Sequence, residues 1–328
     1  MSERRANRRE FIAGIGGAAA WPLSLRAQPA KVYRIGLLNS GGLGAGPFEA
    51  SFLRGLANHG YTPGKNLVLE RRGAEGHSDR LPQLAAELAA SKVELLIALG
   101  YPTVLAAKQA TGLPIVEFSA GDPVATGLTD SLARPSAQVT GISDVSAEVT
   151  PKRLQLLKQF SPSLRRVAML WNADDLAMTL RYKAAEVGAQ ALGLSVQPLG
   201  VREPADFDHA LEAMNRELPD AILMVSDPLT NLNRKVVFEF AAAHRLPGIY
   251  EYDFIARDGG LMSYGLDLDE SFDLLGGLVD RILKGAKPAE LPFEQPTRFR
   301  FVLNLKTAKS IGVEVPTTML ASADEVIE

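Results

Sequence analysis

The chain has 328 residues, 46% hydrophobic and 22% charged, with a formal net charge of −3. That is an ordinary globular composition with room for about two domains and no electrostatic footprint for nucleic acid or an anionic membrane. There is no cysteine, and the four histidines show no i, i+4 pair, which excludes disulfides, thiolate metal sites, cysteine nucleophiles and a lipidated N-terminal cysteine, and leaves no pattern for a zinc or histidine-based centre.

The chain opens on a basic segment with Arg4, Arg5, Arg8 and Arg9, followed by a mild apolar run from Phe11 to Leu25 and small residues at its end. Such an order reads as an export signal over residues 1–27; the competing reading is a basic amphipathic helix. Asn7-Arg8-Arg9-Glu10-Phe11-Ile12 resembles the twin-arginine signal. The apolar run is too short and too interrupted to span a bilayer. The mature protein is therefore expected to begin near Gln28 and to be soluble in the periplasm, without a lipid anchor.

From Val32 the chain alternates short β-rich runs with helical patterns. Val32–Leu38, Leu67–Glu70, Val93–Leu99 and Ile115–Phe118 read as strands, with helices between them closed by Gly60 and Gly112. Val93–Leu99 is apolar almost throughout, as a parallel strand covered on both faces must be. After Gln138–Ser143 the rhythm restarts. Thr150-Pro151 opens a helix, and strands at Arg166–Trp171, Ser195–Leu199, Ala221–Val225 and Gly248–Tyr250 alternate with further helices. Two βα series of similar build predict an α/β protein with two doubly wound parallel-sheet lobes. The tail adds a strand at Gly260–Tyr264, a helix over Leu274–Leu283, a Pro-rich loop and a strand at Phe299–Leu303.

In open α/β sheets ligands bind beyond the carboxyl ends of the strands. Those ends offer Ser40 and its glycines, Tyr101-Pro102-Thr103 and Ser119–Asp122 in the first series. In the second they offer Trp171-Asn172, Ser226-Asp227 and Tyr250-Glu251-Tyr252. Each has a plainer reading: Trp171 and Tyr264 as core, Asp122-Pro123 and Asp227-Pro228 as turn initiators. The glycines after the first strand lack the spacing and lysine of a nucleotide loop. Nothing in the spacing of Asp122, Asp227, Glu251 and Asp253 specifies an acid–base pair, so no catalytic residue, metal or cofactor is expected.

Asp122-Pro123-Val124, Val139-Thr140-Gly141, His244-Arg245-Leu246-Pro247, Gly259–Gly265, Ile282–Pro288 and Asn304–Ala308 together resemble ABC-transporter solute-binding proteins of the type I periplasmic-binding fold. Within that fold they are similar to the subfamily whose better-known members bind tryptophan and other aromatic amino acids. The resemblance implies three crossovers, near Ser143–Ala147, Tyr252–Phe254 and Phe293–Thr297. These would divide the chain into a first lobe of residues 31–145 plus 254–292 and a second of residues 146–253 plus 297–328. It implies a monomeric, non-enzymatic protein that closes on one small solute and hands it to an ABC permease in the inner membrane. The expected ligand-binding residues are Ser40, Tyr101, Pro102, Thr103, Asp122, Trp171, Asn172, Asp227, Tyr250 and Tyr264, with Tyr250 and Tyr264 facing the solute from opposite lobes. An exported enzyme of the same architecture and a ligand sensor for a membrane receptor are the alternatives.

Two positions depart from the subfamily pattern. Ala177-Met178 stands where an Asn-Ser pair is usual, which shifts the expected solute from an α-amino acid towards a less polar carboxylate or other aromatic compound. Ser136-Ala137-Gln138 replaces a Gly-Gly-Asn turn.

Overall fold

The computed structural model describes residues 31–135 and 138–328; the expected export segment and the Ser136 and Ala137 positions lie outside them. The first series is β1 (Tyr33–Asn39), α1 (Glu49–Asn58), β2 (Leu67–Gly73), α2 (Leu81–Ala90), β3 (Leu95–Leu99), α3 (Tyr101–Ala110), β4 (Ile115–Phe118) and β5 (Val139–Ile142). The second begins with α4 (Ser146–Phe160), β6 (Arg166–Asn172), α5 (Leu176–Ala191), β7 (Ser195–Val201), α6 (Asp206–Arg216) and β8 (Ala221–Met224). It continues with α7 (Pro228–Leu232), α8 (Arg234–His244), β9 (Gly248–Tyr250), α9 (Asp253–Arg257) and β10 (Met262–Leu266). The tail is α10 (Leu268–Leu283), β11 (Phe299–Asn304), α11 (Leu305–Ile311), α12 (Thr317–Ser322) and β12 (Glu325–Ile327).

The strands form two sheets. The first has the order β2-β1-β3-β4-β5 and is parallel throughout. The second has the order β12-β11-β10-β9-β8-β6-β7, with β10 and β11 its antiparallel pair. Every residue of β3, β4 and β5 is buried, as strands covered by helices on both faces must be. Alternation sorts the side chains. Ile35 and Leu37 of β1 enter one core with α1 and α10, while Leu38 enters another with α2. In β6, Val167, Met169 and Trp171 face α4 and α5, and Ala168 and Leu170 face α6 and α8.

The chain leaves the first sheet at Ser143–Val145, after β5, and α4 packs on the second. The return does not fall near Phe254. Strand β10 pairs with β9 and β11, so the chain stays with the second sheet until Asp267, which caps α10 by accepting the Glu270 N–H at 2.9 Å. Residues 254–266 therefore belong to the second lobe, and Tyr250 and Tyr264 lie on the same sheet, not on opposite lobes. Tyr252 does reach across: it is buried in the first lobe's core beside Phe48, with ring centroids 5.4 Å apart. What returns α10 to the first lobe is glycine. A Cβ on Gly55 of α1 would lie 2.1 Å from the Phe272 carbonyl oxygen, and one on Gly276 would lie 2.4 Å from that of Gly55. Backbone contact at that range admits no side chain. The last passage runs past Glu294, whose N–H bonds to the Gly141 carbonyl oxygen at 3.0 Å, and enters β11. Among the described residues no helix is long and apolar enough to cross a membrane.

Candidate functional site

The carboxyl ends of the two sheets face each other across a cavity holding about 660 Å³ of empty space, counting its mouth. The first lobe lines it with Asn39, the glycines after it, Phe48, Leu99, Gly100 and Ser119; the second with Asp175, Met178, Ser226, Asp227, Pro228 and Asn231.

On the first lobe, Asn39 is spent on its own loop. Its Nδ2 donates to the Gly44 carbonyl oxygen at 2.7 Å and its Oδ1 accepts the Gly41 N–H at 3.1 Å. It shapes the glycine loop that forms the cavity wall. Ser119 ends β4 in a left-handed conformation, φ 65°, uncommon for a residue with a side chain and characteristic of functional turns.

On the second lobe, two acids cap two helices. Asp227 caps α7: Oδ1 accepts the Thr230 N–H at 2.7 Å and Oδ2 the Asn172 Nδ2 at 2.6 Å. Asp175 caps α5: Oδ1 accepts the N–H groups of Ala177 and Met178 at 2.8 and 3.3 Å. Burial, with the charge of Asp227 second, pushes the Asp175 carboxyl up to about 7. Burial also raises Asp227, against the bonds from Thr230 and Asn172.

A buried ion network joins α4 and α5 to the first crossover and to the residue after β9. Arg181 of α5 reaches Glu251 and Asp144, both at 2.6 Å, and Arg153 of α4 reaches Glu251 at 2.9 Å and the Tyr264 carbonyl oxygen at 2.7 Å. None of the four side chains is more than 1% exposed. Burial alone would lower the Arg181 guanidinium, but Asp144 and Glu251 more than reverse this and hold it above its ordinary value. Two cations thus meet two anions. Asp144 lies in the first crossover, and Glu251 directly follows β9.

Of the ten expected residues, Asp227 lines this cavity. Ser40 lies between two residues that do, its carbonyl oxygen bonded to the Gly76 N–H at 2.8 Å. Asn172 acts through Asp227. Tyr101 and Pro102 open α3, where Tyr101 packs against cores of both lobes. Asp122 lines a second interlobe cavity beside the first crossover, and its carboxylate accepts the Val124 N–H at 2.8 Å, forming a turn. Four residues are corrected to packing roles. Thr103 is fully buried and donates to the Gly100 carbonyl oxygen at 2.6 Å. Trp171 stacks on Tyr182, with centroids 4.0 Å apart, inside the α4/α5 core. Tyr250 is buried on the opposite face of its sheet against Phe238. Tyr264 is half-buried over Phe299, with centroids 5.9 Å apart. Sequence reasoning missed Asp175 and Asn231, and marked Met178 only as a departure from the subfamily pattern. The signal for Asp175 was its place as an acid just before a helical run, where caps sit.

A family model described as ABC transporter substrate binding protein matches residues 48–327. The chain is 22% identical over 267 residues to a tyrosine-binding protein of Clostridioides difficile (strain R20291), covering 81% of this chain and 76% of that protein. It is similar to the crystal structure of an ABC domain in complex with L-Trp from Streptococcus pneumonia, with TM-score 0.82 and 23% identity over 90% of this chain and 100% of that one. It is also similar to a conserved domain protein of Vibrio cholerae, with TM-score 0.83 and 23% identity over the same shares.

Proposed function

The chain belongs to the ABC transporter substrate binding protein family, a family of binding proteins and not of enzymes, and from that premise we propose that it is an exported protein that captures one small organic solute between its lobes. The loaded protein then delivers that solute to an ABC import permease. One observation carries this reading: one cavity is lined by strand ends of both sheets, so a solute there contacts both lobes at once. Closure of the lobes is the signal a permease can read, and three chain passages near the buried ion network form the hinge. The protein acts as a monomer in the periplasm, with residues 1–27 as its twin-arginine export leader.

The solute is a small organic molecule with an apolar, aromatic-sized body. Phe48, Leu99, Met178 and Pro228 offer that body apolar surface, and polar groups are few. Relatives named for tyrosine and L-Trp binding support an aromatic compound, amino acid-like or carboxylate-bearing. The experiment is to denature the purified protein, identify the released small molecule by mass spectrometry, and add it back to stripped protein. It should raise the melting temperature by mass action. If it raises nothing, or is turned over while the shift decays, the binding-protein reading fails.

A further inference from the structure

Asp175 is 2% exposed and lines the interlobe cavity. Its Oδ1 is committed to the first turn of α5, and among the described residues no hydrogen bond reaches Oδ2. That oxygen is open on the cavity side and has no protein donor, so a ligand donor there would meet a free acceptor.

The charges around it give the sign of that ligand. Arg234 is the one basic residue lining the cavity, and its charge is paired with Asp258. Nε and Nη2 bond Asp258 at 3.0 and 2.5 Å, and Nη1 bonds the Asn231 carbonyl oxygen at 2.5 Å. Arg181 pairs through its two terminal nitrogens with Asp144 and Glu251, its Nε being buried without a partner among the described residues, and it does not line this cavity. Asp227, the second acid of the cavity, has both oxygens bonded. The cavity thus holds two carboxylates, one of them open, and no uncommitted cation. A solute carboxylate would find no unpaired cation among the lining residues and, once Asp175 is ionised, would enter against like charge. A solute ammonium would meet an acceptor whose own geometry is already fixed by the helix it caps.

We propose that Asp175 is the receptor for a protonated amine, so that the cleft selects small amine-bearing solutes with a compact apolar body over the carboxylates of the same shape. This rests on the reading that the interlobe cavity holds the solute, and it narrows the expected class away from simple carboxylates. The ammonium donates to Oδ2, forming a charge-assisted bond in a site shielded from water. Its remaining donors face a cavity that Ser119 also lines. The apolar body lies against Phe48, Leu99 and Met178.

The test uses the full mature protein, stripped of bound solute by unfolding and refolding, with matched probes. Tyramine is compared with 3-(4-hydroxyphenyl)propionate, tryptamine with indole-3-propionate, and each with its parent amino acid, by thermal shift and titration calorimetry. We expect amine-bearing members to bind at least about 30-fold tighter than their carboxylate partners, and Asp175→Asn to weaken them by about 10- to 100-fold. Asparagine remains a good helix cap; if that variant does not fold, the matched pairs on the unaltered protein decide alone. A carboxylate that binds as tightly as its amine, or an Asp175→Asn protein that binds amines unchanged, overturns the assignment while leaving a solute-binding cleft. A released natural solute without a protonatable amine overturns it too. If no probe and no released solute protects the protein, the binding reading falls with it.

Discussion

Arg181 and Glu251 form a 2.6 Å ion pair with neither side chain more than 1% exposed. Arg181 joins the same carboxylate to Asp144 of the first crossover, so one guanidinium ties the hinge to the second lobe. Removing it leaves two buried anions with one remaining cation, Arg153. Buried pairs broken from one side cost about 3–5 kcal/mol. Arg181→Met should therefore lower stability by about that much in urea unfolding. Adding Asp144→Asn and Glu251→Gln should recover part of the loss, because the stranded charges are then gone. A single variant within 1 kcal/mol of the parent would mean water or a shifted lysine compensates the network.

Asp175 gives a stability effect with an unusual sign. Its folded carboxyl sits at about 7, against an ordinary 3.8, mainly because it is buried. Between those values the unfolded chain has released the proton and the folded chain has kept it. Stability therefore falls as pH rises through that window and levels off above about 7. Asp175→Asn removes the titration and keeps the cap. The variant should be more stable than the parent at pH 8, by at most about 4 kcal/mol, with the gap closing towards pH 4. A gap that does not depend on pH would show that Asp175 titrates alike in both states.

The βα rhythm was legible because buried parallel strands are apolar runs closed by turn residues. The assignment of individual aromatics was only half legible. Trp171 is two residues on from Met169 and four from Val167, so period-two alternation places it in their core. Tyr250 alternates with Ile249, and the two enter the cores on opposite faces of the second sheet. In a strand covered on both faces neither direction leads to the cleft. Tyr250→Ala should then cost about 3–5 kcal/mol by urea unfolding and leave the solute dissociation constant unchanged under folding conditions. A weaker Kd without a stability loss would return Tyr250 to the binding site. The second crossover was less readable still. Met262–Leu266 is apolar enough for either sheet, and its partner strands and the Arg153 bond to the Tyr264 carbonyl decide it; both are long-range contacts. Asp175 was hidden because a capping acid and a binding acid look alike until the free oxygen is seen.

The proposed export leader has its own test. Replacing Arg8 and Arg9 by lysines keeps charge and length but removes the paired guanidinium groups. The precursor should then accumulate in the cytoplasm, seen as an unprocessed band on fractionation. Normal processing of that variant would sink the twin-arginine assignment while leaving export by another route.

The two lobes touch where Gly121, after β4, meets Ala177 in the first turn of α5. A Cβ on Gly121 would lie 2.8 Å from the Ala177 Cβ and 3.4 Å from its Cα. Neither atom is the end of a flexible side chain, so the lobes would have to part to relieve the clash. Gly121 also has φ 79°, which by itself costs an alanine about 1 kcal/mol. Gly127 separates the two effects: its φ is 74°, and a Cβ there meets nothing within 4 Å. Gly121→Ala and Gly127→Ala should therefore lose similar amounts of stability to the backbone. The Gly121 variant alone should also show a larger radius of gyration in solution scattering and about tenfold weaker solute binding, because the energy of parting the lobes is taken from closure. Equal scattering and equal affinity for the two variants would mean that the Gly121–Ala177 contact does not gate the cleft.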